Sequence, residues 1–383
     1  MSGARPFDAP ERIAYVNALF IIGSLATLIT PAVLDAWAPL NWSPGRLGLI
    51  AGIELAGLAL GSLSGLYWQR RWSWRAITAP SLVACLVANL ACVGLTDFMS
   101  VCAARAVVGI AGGLLCGVYS AYAANITNPV RVIAATTFVQ VALEALFIFF
   151  APSLSHLRSG ALFLLMALLF ALLLPLIRLL PSRWPEADAS ADGTTRHSRS
   201  WRGYVILASF IPFVVVQTGI YTFLGEFAQS AARVSSEEAL RLVGISVVFS
   251  ALGSLLAFGA EGRISVRTAI VVSIVFMAAT LAGALHPGSS SAWFLVNIAV
   301  MQIAWIFLNC MLYAALIQTN NLLVAAASTV ACLGASVGTP VVGFVFEHTG
   351  LGGALSLSMC ALAATAALTV PILGRANALP ETS

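Results

Sequence analysis

The stretch GSLSGLYWQRRWSWR at residues 61–75 returns, 192 residues further along the chain, as GSLLAFGAEGRISVR at residues 253–267. Six of the fifteen paired positions are identical, among them the first glycine and two arginines of the basic loop that ends each copy. Two related halves in a strongly apolar chain are typical of a membrane transporter built by duplication, with a substrate path between the halves. The alternative is chance similarity between two apolar segments, which the matched loop arginines disfavour.

The composition is that of a membrane protein. Hydrophobic residues make up 60% of the chain, charged residues only 9%, and the mean hydropathy is +0.95, whereas about a quarter of the residues of a soluble domain are charged. Apolar runs of about 20 residues recur, long enough as helices to cross a hydrocarbon core of about 30 Å. No segment has the alternating pattern of a spanning strand. We therefore predict an all-α polytopic membrane protein.

Charge, cysteine and histidine patterns exclude several function classes. The net charge of +4 comes from arginines in short loops, so no nucleic-acid partner is expected. The seven cysteines lie in apolar segments without CxxC pairs, and the four histidines are scattered over loops and span ends, which argues against disulfides and a zinc site. Since no nucleotide signature occurs either, we expect neither a metal nor a cofactor.

Twelve candidate spans divide the chain into two halves. We predict an N-terminal six-helix bundle at residues 1–180, a cytoplasmic linker at 181–201, and a C-terminal six-helix bundle at 202–383. The linker is the longest hydrophilic stretch. With both termini on one side, fourteen of the nineteen arginines lie on that side and four on the other. This asymmetry predicts cytoplasmic termini in a plasma membrane, the inner membrane of a bacterium.

The loop after the second span resembles a signature of the major facilitator superfamily, G-x-x-x-[DN]-R-x-G-[RK]-[RK]. Gly65, Arg70 and Arg75 fit it, but Gln69 stands where an acid is usual and Trp72 where a glycine is usual. Other positions that resemble the family or flank its motifs are Arg71, Glu261, Arg263 and Arg267 in the two loops, Arg105, Gly109 and Gly113 in the fourth span, and Gly334 and Gly338 in the eleventh. The resemblance implies two pseudo-symmetric six-helix bundles, with loop arginines and glycines that serve gating and helix packing.

Two acids near the middle of spans are candidate proton-coupling residues, because a charge in lipid costs about 2.5–3.5 kcal/mol even on insertion scales. Glu54 in the second span shares a helical face with Gly57, Gly61 and Gly65, which allow a neighbouring helix to approach closely. Glu144 in the fifth span shares a face with Gln140. For both acids a structural hydrogen bond between helices is the alternative, and Glu54 is our preferred proton carrier.

Arg105, in the fourth span, is the third coupling candidate. The resemblance implies a role for this arginine in proton coupling. It can equally serve as the ion-pair partner that makes Glu54 or Glu144 tolerable in the membrane.

Polar and aromatic residues of the second half are candidate solute contacts. Gln302, Trp305 and Asn309 share one face of the tenth span, and Gln217 and Tyr221 lie one turn apart in the seventh. Amides and aromatic rings on one face suit hydrogen bonding and stacking with an organic solute. Packing between helices is the alternative. With Gln140, these residues form the predicted substrate site.

The sequence thus predicts a secondary transporter, not an enzyme, that moves a small organic solute by alternating access in proton-coupled symport. A proton-coupled efflux antiporter is the first alternative, although the fifth span lacks the G-x-x-x-G-P motif of drug antiporters. A sensor on a transporter fold is a remote one. The expected partners are the solute, protons and the lipid bilayer, and the expected state is a monomer.

Overall fold

The computed structural model describes residues 9–68, 71–123, 126, 129–158, 160–181, 201–260, 262–320 and 323–376. Helices dominate these residues, and no β-strand occurs among them. The helices of the first half are α1 (Pro10–Leu28), α2 (Thr30–Asp35), α3 (Pro44–Trp68), α4 (Trp74–Cys92), α5 (Phe98–Ala123), α6 (Pro129–Leu157) and α7 (Ala161–Leu173). Those of the second half are α8 (Trp201–Thr222), α9 (Leu224–Ala232), α10 (Ser236–Val248), α11 (Ser250–Ala260), α12 (Val266–Ala284), α13 (Ser291–Asn320) and α14 (Val324–Ala376).

The number of membrane-spanning helices depends on one glycine. Eleven helical segments in the described residues are long and apolar enough to cross a membrane. The last of them runs from Ala326 to Leu373 and contains Gly350, whose backbone is non-helical at φ 66° and ψ −158°. This left-handed φ is a conformation that glycine adopts readily. Because the chain changes direction there, α14 contains two spans, and the predicted all-α fold with twelve helices is confirmed.

The helices cluster into two compact units. The first comprises Met1–Asn41, Ile50–Glu144 and Phe150–Thr195, and the second comprises Trp42–Leu49, Ala145–Phe149 and Arg196–Ser383. The boundaries 1–180, 181–201 and 202–383 stay a prediction, and most of the predicted linker, residues 182–200, lies outside the described residues.

The core of the first unit is built around α1, α4 and α5. The Tyr15 hydroxyl donates to the Leu173 carbonyl at 3.0 Å, which ties α1 to the end of α7. Trp74 is fully buried and packs edge-on against Tyr122, with 5.7 Å between ring centroids. A serine positions Trp74, because Ser73 caps α4 by accepting the Ala76 N–H at 3.2 Å.

The same cap recurs in the second unit. Ser265, which is the repeat mate of Ser73, accepts the Thr268 N–H at 3.1 Å and so begins α12. A serine at this position satisfies one of the free backbone donors of a helix start. The repeated serine therefore has the same local function in both copies.

Candidate functional site

The first unit contains a buried ion pair. Arg105 of α5 donates from Nε to Glu54 Oε2 at 2.9 Å and from Nη2 to Glu54 Oε1 at 2.5 Å. Glu54 is only 3% exposed and Arg105 is 0% exposed. The carboxylate of α3 thus meets the guanidinium in a bidentate arrangement, which is the strongest geometry for this pair.

A third helix completes this cluster. Asn89 of α4 accepts from Arg105 Nη1 at 3.4 Å through Oδ1, and it donates through Nδ2 to the Cys85 carbonyl at 2.8 Å. The last bond orients the amide so that its oxygen faces the guanidinium. The cluster of Glu54, Asn89 and Arg105 therefore links α3, α4 and α5.

Glycines bring α3 and α5 close enough for the ion pair to form. A Cβ added at Gly61 would lie 2.1 Å from the Ile110 carbonyl oxygen, and one at Gly109 would lie 2.2 Å from the Glu54 carbonyl oxygen. The corresponding distance from Gly113 to the Leu58 oxygen is also 2.2 Å, and from Gly57 to the Ala106 oxygen 2.9 Å.

The crossing of α3 and α5 opens towards the end of α3. A Cβ at Gly117 would lie 3.7 Å from the Gly65 Cα, an ordinary contact distance. Nearer the ion pair, the Ser62 hydroxyl donates to the Gly113 carbonyl at 3.1 Å. The tightest approach therefore lies along the turns that follow Glu54.

Glu144 has a different environment. It lies on α6, one turn after Gln140, and both side chains are half-buried. Glu54, by contrast, is enclosed by protein. The two candidate acids thus differ in accessibility, although their positions within the spans are alike.

In the second unit, the predicted solute contacts of α8 and α13 lie together. The rings of Tyr221 and Trp305 are in edge contact, with centroids 5.6 Å apart and an interplanar angle of 75°. Gln302 is 3% exposed, whereas Gln217 and Asn309 are half-buried.

Two buried donors of this group have no acceptor within the described part of the chain. They are Nε2 of Gln302 and the indole Nε1 of Trp305. A buried polar group without a hydrogen bond costs about 1–3 kcal/mol, and such groups in native proteins call for a water, an ion or a ligand. Gln302 and Trp305 are one turn apart on α13, so both donors can act on one bound molecule.

The eleventh-span glycines pack against α8. A Cβ at Gly334 would lie 2.6 Å from Val214 Cγ2, and one at Gly338 would lie 2.8 Å from the Val215 Cα. The helix that carries Gln217 and Tyr221 is therefore held against α14 along a small-residue face.

Three of the described arginines in the repeated loops donate to backbone carbonyls or to a neighbouring side chain. Arg71 donates to the Tyr67 hydroxyl at 2.5 Å, and its counterpart Arg263 donates to the Gly259 carbonyl at 3.0 Å, in each case four residues back. Arg75 donates to the carbonyls of Leu180 and Arg178, whereas Arg267 lines a cavity. Arg70 and Glu261 lie outside the described residues.

Two contacts are not predicted from the sequence. Asn89 is absent from the candidates above, although Cys85 and Asn89 form a polar i, i+4 pair in an otherwise apolar span. Glu347 is likewise absent from the candidates, and its Oε2 accepts the Gly45 N–H at 3.0 Å within the second unit. Gly45 lies in the first turn of α3, where an anion is favourable.

Eleven apolar helical segments of the described residues, the last of them divided into two spans at Gly350, define a multi-pass membrane protein. The sequence profile of the Major Facilitator Superfamily matches residues 15–339. The chain therefore belongs to the major facilitator superfamily, as its loop signatures predict. No curated protein sequence matches the chain.

Solved transporter structures share the fold. A point mutant of the nucleoside transporter NupG has a TM-score of 0.73 at 13% identity, over 95% of this chain and 99% of that one. A D-xylose–proton symporter has a TM-score of 0.73 at 14% identity, over 97% and 98%. A bacterial homologue of the human lysosomal transporter Spinster has a TM-score of 0.69 at 13% identity, over 97% and 96%.

Proposed function

We propose that this protein is a secondary active transporter that moves a small polar organic solute by alternating access in symport with protons. Its family is one of transporters, and similar structures cover nearly the whole chain. The observation that carries the proposal is a pair of buried donors, Gln302 Nε2 and Trp305 Nε1, that have no acceptor among the described residues; the Trp305 ring is in edge contact with Tyr221.

The chemistry of this pair favours a solute with acceptor oxygens and a ring. Two N–H donors one turn apart require hydrogen-bond acceptors on the solute. A site that donates hydrogen bonds to its solute rejects analogues without those acceptors. Tyr221 and Trp305 offer aromatic surface for a sugar or base ring. NupG is a nucleoside transporter and another similar structure is a D-xylose–proton symporter; both of those solutes contain a ring with oxygen acceptors. Gln217, Asn309 and Gln140 are the further contacts that we propose.

For proton coupling, the geometry favours a division of roles between the two acids. Protonation of Glu54 in the observed conformation would leave the fully buried Arg105 without its counter-charge, and breaking a buried pair in this way costs about 3–5 kcal/mol. Glu54 can carry a proton only if α3 and α5 separate. Glu144 is half-buried and lies outside this pair, so its protonation leaves the Arg105 charge paired. We therefore propose Glu144 as the main proton carrier, with Glu54 and Arg105 as the pair that holds the unit together.

Transport in proteoliposomes tests the function. The solute is first found by thermal-shift screening of nucleosides, sugars and other ring compounds. A pH gradient, acid outside, should then drive accumulation of the labelled solute. Glu144→Gln should abolish this accumulation but keep exchange of labelled for unlabelled solute, because only the empty-carrier step needs the proton. Gln302→Leu should weaken solute binding at least tenfold, while the matched exposed variant Gln229→Leu should not.

Other outcomes assign other functions. Extrusion driven by the same gradient would support the efflux antiporter, and binding without flux would support a sensor. Equal accumulation by wild type and Glu144→Gln would overturn the proposed carrier. Cytoplasmic termini and residence in a bacterial inner membrane belong to the same proposal, and a reporter fused after residue 383 that proves active outside the cytoplasm would contradict them.

A further inference from the structure

A cavity of about 580 Å³ lies in the second unit, and none of the proposed solute contacts lines it. It is formed by α11, α12 and α13, with Leu373 of α14 at one side. Its polar lining consists of Ser254, Ser265, Arg267 and Gln318. The volume is in the range of small-molecule sites, which is about 300–1,000 Å³.

The cavity is positively charged. Arg267 is the one charged side chain in its described lining, and no acid lines it there, although the neighbouring Glu261 lies outside the described residues. Within the part of the chain that the structure describes, the Arg267 guanidinium is not committed to a backbone carbonyl as the Arg75 guanidinium is. Gln318 and Ser254 add groups that can bind oxygen atoms.

Exposed apolar side chains of α11 and of the loop before α12 also line the cavity. Phe258 is 81% exposed and Ile264 is 46% exposed, and both line the cavity. An exposed arginine and exposed apolar side chains that line one cavity suit a molecule with an anionic head and an apolar tail. Basic pockets between spanning helices are known to take phosphate headgroups.

We propose that this cavity binds an anionic phospholipid. Arg267 binds the phosphate, Gln318 and Ser254 bind the headgroup oxygens, and an acyl chain covers Phe258. The arginine supplies charge-assisted hydrogen bonds, which are the strong ones in proteins. This site is independent of the transported solute, so the proposal can fail while the proposed transport function stands.

Thermal stability of the full chain in detergent tests this proposal. Phosphatidylglycerol should raise the thermal midpoint Tm of the wild type in a saturable manner, and phosphatidylcholine should have a much smaller effect. Arg267→Gln should weaken the apparent affinity for phosphatidylglycerol about fivefold, the typical contribution of one basic residue. Arg267→Lys should retain most of it. Arg263→Gln is the matched control, since it removes the same charge from the same loop but not from the cavity lining.

Alkylation of Cys310 shows whether the lipid binds in the cavity, because this residue lines it. Phosphatidylglycerol should slow alkylation of Cys310 in the wild type and in Arg263→Gln but not in Arg267→Gln. Ala314→Phe, which fills the cavity and keeps the arginine, should abolish the Tm increase.

Three results would overturn the proposal. The first is an equal response of wild type and Arg267→Gln to phosphatidylglycerol. The second is an equal response to phosphatidylcholine. The third is full protection by glycerol 3-phosphate alone, which would assign the cavity to a soluble anion.

Discussion

Arg75 of the first unit and Arg267 of the second are mates in the internal repeat, yet they make different contacts. Arg75 donates to the Leu180 carbonyl at 2.9 Å and to the Arg178 carbonyl at 2.8 Å. These carbonyls are available because a 3-10 helix at Leu174–Leu179 ends there and Leu180 is extended. In the second unit, the corresponding stretch stays within α14, which continues to Ala376. A repeated residue therefore keeps its role only where its partner segment keeps its conformation.

The two units also contain grooves of different polarity. In the first unit, a groove of about 670 Å³ between α3, α4 and α5 is lined mainly by apolar residues, including Trp68 and Trp72. In the second unit, the cavity between α11, α12 and α13 contains Arg267 and three other polar side chains. Arg75 is not among the residues that line the first groove.

The charged cluster is also confined to one unit. The mates of Glu54 and Arg105 are Ser246 and Asn297, both neutral. Ser246 donates to the Val243 carbonyl at 2.7 Å, and Asn297 donates to the Trp293 carbonyl at 2.9 Å. The first unit thus joins its helices by an ion pair where the second has bonds within single helices.

The largest expected effect comes from breaking the ion pair. Arg105→Gln or Glu54→Gln alone should destabilise the protein by about 3–5 kcal/mol, since each leaves a buried charge unpaired. The double variant should recover part of this loss. Asn297→Ala, the control in the second unit, should cost about 1 kcal/mol, the value of one hydrogen bond. Unfolding of the purified protein in detergent measures all four, and a double variant that is no better than the singles would contradict the pairing.

Replacing a glycine that makes an equivalent close contact in each unit should lower stability by a smaller amount, and by a similar amount in the two units. A Cβ at Gly61 would lie 2.1 Å from the Ile110 oxygen, and one at its mate Gly253 would lie 2.4 Å from the Ile303 oxygen. Gly61→Ala and Gly253→Ala should each cost about 1–3 kcal/mol through overpacking. Gly259→Ala is the control because a Cβ there meets nothing within 4 Å. If only one of the two substitutions lowers stability, the two copies of the repeat are not equivalent at this contact.

These contacts indicate what the sequence could predict. Hydropathy and glycine spacing are periodic signals within one helix, so the helical fold and the small-residue face of α3 follow from them directly. The choice between Glu54 and Glu144 as partner of Arg105 depends on which helices are neighbours, and both acids look alike in sequence. Asn89 escapes prediction because its role depends on the contact between α4 and α5, which the sequence of α4 alone does not contain. The conformation at Leu180 depends on where a helix ends, and helix ends are the least predictable feature of a sequence.

The smallest expected effect tests the two arginines directly. Arg75→Gln should lower stability by about 1.5 kcal/mol, because it removes charge-assisted hydrogen bonds to two carbonyls. Arg267→Gln should leave the stability of the lipid-free protein nearly unchanged, since its guanidinium lines an open cavity.

The gating role proposed for these loops adds a second measurement, the accessibility of engineered cysteines to reagents added on either side of the membrane. If Arg75 acts only by holding the end of the sixth span, Arg75→Gln will lower Tm without changing that accessibility. If the arginine also stabilises one access state, both will change. Equal Tm losses for the two variants would mean that Arg267 has a partner equivalent to Leu180, and the difference between the units would then lie elsewhere.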